Sequence, residues 1–221
     1  MIKKINIGII GLGYVGLPLS ILFVKKGFKV FGFDIDRVKI KKIKAKKSYL
    51  EKISDKDVGL LKEKGYFYHT FSKIKECDFI LVCVPTPLKK NNNPDLSFLI
   101  KTFNSIKKHL RINQTLILES TSYPGTTYEL FVKKLSKKFD IGKNFFIGFS
   151  SERINPGFNE NKISEVPKVV SGYTKKCLNK IANFYKTFSK KIVKAKSLEV
   201  AEFSKLLENI YRSVNIGFIN E

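Results

Sequence analysis

Apolar residues fall along this chain in two alternating kinds of run. Short and nearly continuous runs at residues 5–10, 29–33, 77–84, 114–119, 145–149 and 168–171 read as strands buried on both faces. Between most of them lie longer segments with apolar residues three and four apart, the spacing of a helix with one buried stripe. These predict helices at 14–24, at 35–47 (through Ile35, Val38, Ile40 and Ile43), at 55–64 before Gly65, at 96–110 behind Asp95, from about 128 to 138, and at 175–187. Shorter strands are expected near 66–70 and 191–193. There are no internal repeats. The alternation predicts an α/β fold, a doubly wound parallel sheet of the Rossmann-like kind.

The last segment has a different pattern. Val200, Phe203, Leu207, Ile210, Val214 and Gly217 form one apolar stripe, Ser197 can cap its start, and Glu199 and Glu202 suit the first turns. No stop signal precedes Ile219-Asn220-Glu221, so the pattern is that of a helix expected to continue. The reading divides the chain into an α/β domain, 1–195, and the beginning of a long central helix, 196–221.

The first strand runs into Gly11-x-Gly13-x-x-Gly16, with Tyr14 and Val15 between the last two glycines. Gly11 permits the tight turn, Gly13 lets backbone approach a pyrophosphate, and Gly16 lets helix pack closely on strand. Phosphates would lie over the free N–H groups and positive dipole end of the helix. The second strand ends in Asp34, 18 positions after Gly16 and close to the roughly 20 expected for an acid that accepts from ribose hydroxyls. A carboxylate there repels a 2′-phosphate, so the expected cofactor is NAD rather than NADP.

Charge alters this picture little. The formal charge is +23, but only four of the 42 basic residues are arginines, Arg37, Arg111, Arg153 and Arg212, and the lysines are spread over every predicted helix. That is the pattern of a solvated lysine surface, not of a nucleic-acid groove. Cys77, Cys83 and Cys177 form neither a Cys-x-x-Cys pair nor an even set, which fits a reducing cytoplasm, and no metal site is expected. The apolar start lacks a small-residue cleavage site, and the apolar run at 17–24 is too short to span a bilayer. A soluble cytoplasmic protein is expected.

Five motifs occur in order: Gly11-x-Gly13-x-x-Gly16, Asp34-Ile35-Asp36, Val84-Pro85-Thr86-Pro87, Glu119-Ser120-Thr121 with Pro124-Gly125-Thr126-Thr127, and Glu199-Val200-Ala201-Glu202-x-x-Lys205-x-x-x-Asn209. Together they resemble the UDP-sugar 6-dehydrogenase family (the UDP-glucose/GDP-mannose dehydrogenases), over nearly all of this chain but only about half of a typical member. Glu152-Arg153-Ile154-Asn155-Pro156-Gly157, Ser48-Tyr49-Leu50-Glu51 and the stretch from Thr121 to Thr127 are similar to the UDP-N-acetylhexosamine branch, closest to UDP-N-acetylglucosamine 6-dehydrogenases. The resemblance implies a UDP-sugar substrate, oxidised at its C6 alcohol to a carboxylate with two NAD⁺, for surface polysaccharide synthesis. It implies that Pro85, Thr86 and Thr121 line the cofactor, that Thr121 also holds a water, that Glu152 activates water, and that Lys205 and Asn209 stabilise an oxyanion. Positions 205 and 209 are one helical turn apart and both side chains can donate, as an oxyanion site needs.

The family's cysteine nucleophile lies beyond the central helix, and none of the three cysteines here fits it. Cys83 falls in a core strand, Cys77 at its edge and Cys177 on a surface helix. The resemblance therefore implies a cofactor-binding half that needs a C-terminal half, pairs with a second copy through the central helix, and does not complete the oxidation alone. Other readings start from the same residues. Taken singly, Lys205 between Glu202 and Glu208 would be a surface ion pair, Thr121 and Glu152 loop caps, and the prolines a strand stop. A UDP-glucose enzyme, a β-hydroxyacid dehydrogenase, a non-catalytic NAD-binding module and a methyltransferase are the alternatives for the whole.

Overall fold

The computed structural model describes residues 5–90, 93–150 and 167–220. Among the described residues eight strands form one sheet in the order β3-β2-β1-β4-β5-β6-β7-β8. The strands are β1 (Asn6–Ile10), β2 (Lys29–Phe33), β3 (Gly65–Tyr68), β4 (Phe79–Val82), β5 (Thr115–Leu118), β6 (Phe146–Ser150), β7 (Lys168–Gly172) and β8 (Ile192–Lys194). The α-helices among the described residues are α1 (Gly16–Lys25), α2 (Arg37–Lys44), α3 (Asp55–Lys64), α4 (Ser97–Ile106), α5 (Lys133–Leu135), α6 (Lys175–Tyr185) and α7 (Leu198–Asn220). Chain order reverses between β1 and β4, which opens a crevice at the carboxyl edge of the sheet.

The strands lie where the apolar runs place them because both faces are covered. Ile10, Phe33, Val82, Leu118 and Phe149 pack one face against α4 and the start of α7. Ile7, Ile9, Val30, Leu81 and Ile117 pack the other against α1, α3 and α6. β1, β2, β4 and β5 thus each feed two cores, which is why their sequences are apolar throughout rather than alternating.

Register fixes the functional edge. Ile10 pairs with both Phe33 and Val82, and Val82 pairs with Leu118. The next residues, Gly11, Asp34, Cys83 and Glu119, therefore emerge side by side. The ladder runs one step further through Gly11 N–H to Phe33 O (2.8 Å), Cys83 N–H to Ile10 O (2.8 Å) and Glu119 N–H to Val82 O (2.9 Å).

Several elements depart from the expectation. β7 runs antiparallel to β6, so the sheet is mostly rather than wholly parallel. A short apolar run reads the same in a parallel or an antiparallel ladder, so the direction of β7 was not set by its own residues. The helix expected from about 128 opens with a π turn, Tyr128–Val132, before α5. Asp95 accepts from Ser97 N–H (2.9 Å), so α4 begins at Ser97. Cys177, expected on a helix surface, is fully buried on the inward face of α6. Ser197 does hold the start of α7, accepting from Val200 N–H (3.3 Å).

Candidate functional site at the carboxyl edge

A cleft of about 990 Å³ follows the crevice, lined at one end by Asp34, Ile35, Val38 and Tyr49 and at the other by Thr121, Lys205 and Asn209. Gly11, Gly13, Tyr14 and Val15 line its middle. Gly11 has φ +89°, a left-handed conformation that strains any residue with a Cβ, and its backbone lies against the Cys83 carbonyl. A Cβ on Gly16 would overlap the Gly11 carbonyl oxygen and crowd Ile9, so this glycine closes the loop on itself as well as on β1. A Cβ on Gly13 would meet no protein atom within 4 Å. Gly13 therefore faces the cleft, just ahead of α1 and its positive dipole end. A pyrophosphate fits that open cradle.

Asp34 is nearly buried. Its Oδ2 accepts from Leu12 N–H (2.8 Å) and from the Lys39 ammonium (3.2 Å), and its Oδ1 accepts from Asp36 N–H (2.9 Å). A carboxylate has about four acceptor positions, so Oδ1 keeps capacity for a ribose hydroxyl. Asp36 caps α2 by accepting from Val38 N–H (2.8 Å). The Asp34-Ile35-Asp36 motif thus braces the glycine loop and the start of α2 while leaving acceptor capacity beside the cleft.

Sequence reasoning used Tyr49 only as a branch marker. In the structure its hydroxyl donates to Leu12 O (2.6 Å), pinning the 48–51 segment to the glycine loop. Burial pushes the Tyr49 phenol well above its ordinary pKa, and the charges of Asp34 and Asp36 push it further, so it stays a donor. The isolated Ser-Tyr-Leu-Glu run carried no signal of that contact, which spans 37 positions.

At the far end the strand-end motifs are stitched together. Thr86 Oγ1 donates to Thr121 O (2.7 Å), and Ser120 Oγ donates to Val84 O (2.6 Å). Pro85, Thr86 and Thr121 all line the cleft. Below them Glu119 is buried in ionic contact with Lys168 (2.9 Å) and accepts from the Tyr185 hydroxyl. Lys205 and Asn209 reach the cleft from one face of α7. Glu202, read from sequence as a first-turn acid or a partner for Lys205, is instead fully buried. It accepts from Gly125 N–H (2.6 Å), Thr127 N–H (2.8 Å) and Thr127 Oγ1 (2.6 Å). Burial raises its pKa, and these three hydrogen bonds pull the other way without cancelling the rise. Glu152 lies outside the described residues.

Residues 5–189 match the family described as "UDP-glucose/GDP-mannose dehydrogenase family, NAD binding domain". The chain belongs to this family. Within the UDP-glucose/GDP-mannose dehydrogenases it is 40% identical to Protein CapL of Staphylococcus aureus over 98% of this chain and 51% of that one. It is 38% identical to the UDP-N-acetyl-D-glucosamine 6-dehydrogenase of Pseudomonas aeruginosa over 99% of this chain and 52% of that one. The solved UDP-N-acetyl-mannosamine dehydrogenase of Staphylococcus aureus superposes with a TM-score of 0.87 at 31% identity, over 97% of this chain and 53% of that one. The chain spans about half the length of the curated relatives it matches. NAD is the cofactor of this family's domain, and the open cradle at Gly13 with the acceptor at Asp34 fits it. Among the described residues no helix is long and apolar enough to cross a membrane, and no cluster of three or more His, Cys, Asp or Glu gathers as a metal site would require.

Proposed function

We propose that this chain is the cofactor-binding part of an NAD-dependent UDP-sugar 6-dehydrogenase acting on a UDP-N-acetylhexosamine, UDP-N-acetylglucosamine first among them. The observation that carries the reading is the single cleft joining Asp34 and Gly13 to Thr121, Lys205 and Asn209. NAD supplies the hydride acceptor. Gly11, Gly13, Tyr14, Val15 and Gly16 shape the phosphate cradle, and Asp34 accepts from the adenosine ribose. Pro85, Thr86 and Thr121 wall the nicotinamide end. The Lys205 ammonium and the Asn209 amide line that end and donate to the C6 oxygen, which carries negative charge once its hydroxyl proton is lost and before the hydride departs. Glu152 is assigned to water activation by the resemblance alone.

The assignment divides the chain into a domain at 1–195 and a helix from 196, with the exposed stripe of α7 paired across a homodimer in the reducing cytoplasm. Cys77 and Cys177 are fully buried, and burial pushes the Cys77 thiol far above its ordinary value. Cys83 is buried beneath the glycine loop. The resemblance assigns the nucleophile to a cysteine beyond the central helix, so these residues alone are not expected to form the carboxylate.

Calorimetric titration of the chain with NAD⁺, NADP⁺ and UDP-N-acetylglucosamine, each alone, tests the reading. Tight NAD⁺ binding with weak binding of the other two is expected. A folded chain that binds no dinucleotide overturns it, as does net carboxylate formation by the chain for the division of labour.

A further inference from the structure

We propose that Glu202 is a positioning residue that sets where Lys205 and Asn209 stand relative to Thr121; the inference rests on the reading of the cleft as an NAD and sugar site.

The geometry is specific. Glu202, Lys205 and Asn209 are spaced by three and four, so they share one face of α7. Glu202 is fully buried, and its two oxygens take three donors from one short stretch, Gly125 N–H, Thr127 N–H and Thr127 Oγ1. That stretch is itself rigid. Gly125 sits at φ +97°, and Thr126 returns both its N–H (3.2 Å) and its Oγ1 (2.7 Å) to Tyr123 O. The same loop begins at Thr121, whose carbonyl is held by Thr86. One carboxylate thus connects the helix bearing the two donors to the loop bearing the opposite wall of the cleft.

Burying a carboxylate is a poor way to gain stability, since desolvation offsets much of what its hydrogen bonds return. An apolar contact would pack α7 as well. What three convergent donors supply is registration. A slip of α7 by one residue would move Lys205 by about 1.5 Å along the axis and turn it by about 100°. Displacements near 1 Å are enough to cost about a hundredfold in a positioned site.

The test compares Glu202→Gln, Thr127→Val and Thr127→Ser with the parent chain. NADH and ADP-ribose are titrated separately, with amide hydrogen exchange followed on each unliganded protein. A glutamine at 202 sets its NH₂ against one of the three donors, and valine at 127 deletes the hydroxyl donor; serine keeps it. Both disruptive variants are expected to bind NADH about tenfold more weakly and to lose the emission enhancement of the bound dihydronicotinamide. ADP-ribose affinity should stay within about twofold, because the Asp34 end is untouched. Thr127→Ser should behave as the parent. Exchange should quicken together at 123–127 and in the first turns of α7. Equal weakening of both ligands, or unchanged NADH binding and exchange, overturns the proposal. If the parent itself binds neither ligand, the functional reading fails, while the exchange comparison still decides whether Glu202 couples the two elements.

Discussion

Two glycines of the fingerprint separate stability from binding at the level of one methyl group. Alanine at 16 would drive its Cβ into the Gly11 carbonyl oxygen, whereas alanine at 13 would meet no protein atom within 4 Å. Gly16→Ala is therefore expected to destabilise the fold by about 3 kcal/mol, seen in chemical denaturation. Gly13→Ala should leave stability within about 0.5 kcal/mol and weaken NAD⁺ at least about tenfold by calorimetry, since its methyl fills the phosphate cradle. The three glycines and Asp34 were legible because each meets a local backbone or ligand demand at a fixed offset. Tyr49 and Glu202 were not. Their partners, Leu12 and the Gly125–Thr127 stretch, lie 37 and 75 to 77 positions away, and only the folded sheet brings them together.

Among the elements, those with local signals were the readable ones. Helix α3, expected at 55–64 before Gly65, also has a local cap that the sequence reading did not use: Ser54 accepts from Asp57 N–H (3.1 Å) and donates to Asp57 Oδ2 (2.7 Å). Ser54→Ala should cost about 1 kcal/mol in urea unfolding. Asp57 also meets Lys25 of α1 (2.8 Å), tying the two helices. Burial pushes its pKa up, but the hydrogen bonds from Lys25 and Ser54 and the charges of Lys25 and Lys56 outweigh this and hold it below the ordinary carboxylate value. A depressed folded pKa means its stabilisation is present above the unfolded value near pH 4 and lost as pH falls through the folded one. The stability gap between the parent and Asp57→Asn should therefore be about 0.5–1 kcal/mol at pH 7 and close as the pH drops below 4. A gap that is constant with pH would show that the amide acts through packing alone. The reversed direction of β7 carried no such local signal, because strand direction is set by the route of the connection and not by the strand's own residues.

For the molecule as a whole, the open question is what covers α7. Along this helix the buried residues are Leu198, Ala201 and Glu202, while Val200, Phe203, Leu207, Ile210 and Val214 are each about half exposed or more. The stripe that sequence periodicity picks out is thus not the face that meets the sheet. Periodicity reports that a face is buried somewhere, and it is silent on whether the same chain or another one buries it. Five large apolar side chains on one helix face exceed the scattered exposure normal for a monomer. The homodimer proposed above places two copies of this face together, so an ionised side chain at its middle would appear twice without partners. Leu207→Glu is expected to raise the dimer dissociation constant at least about thirtyfold, equivalent to about 2 kcal/mol, in sedimentation equilibrium. Leu207 lies outside both buried cores, so circular dichroism and NAD⁺ affinity of the resulting monomer should match the parent. A parent chain that remains monomeric across the accessible concentration range removes the homodimer, and loss of NAD⁺ binding in Leu207→Glu would mean that the stripe supports the cleft within one chain.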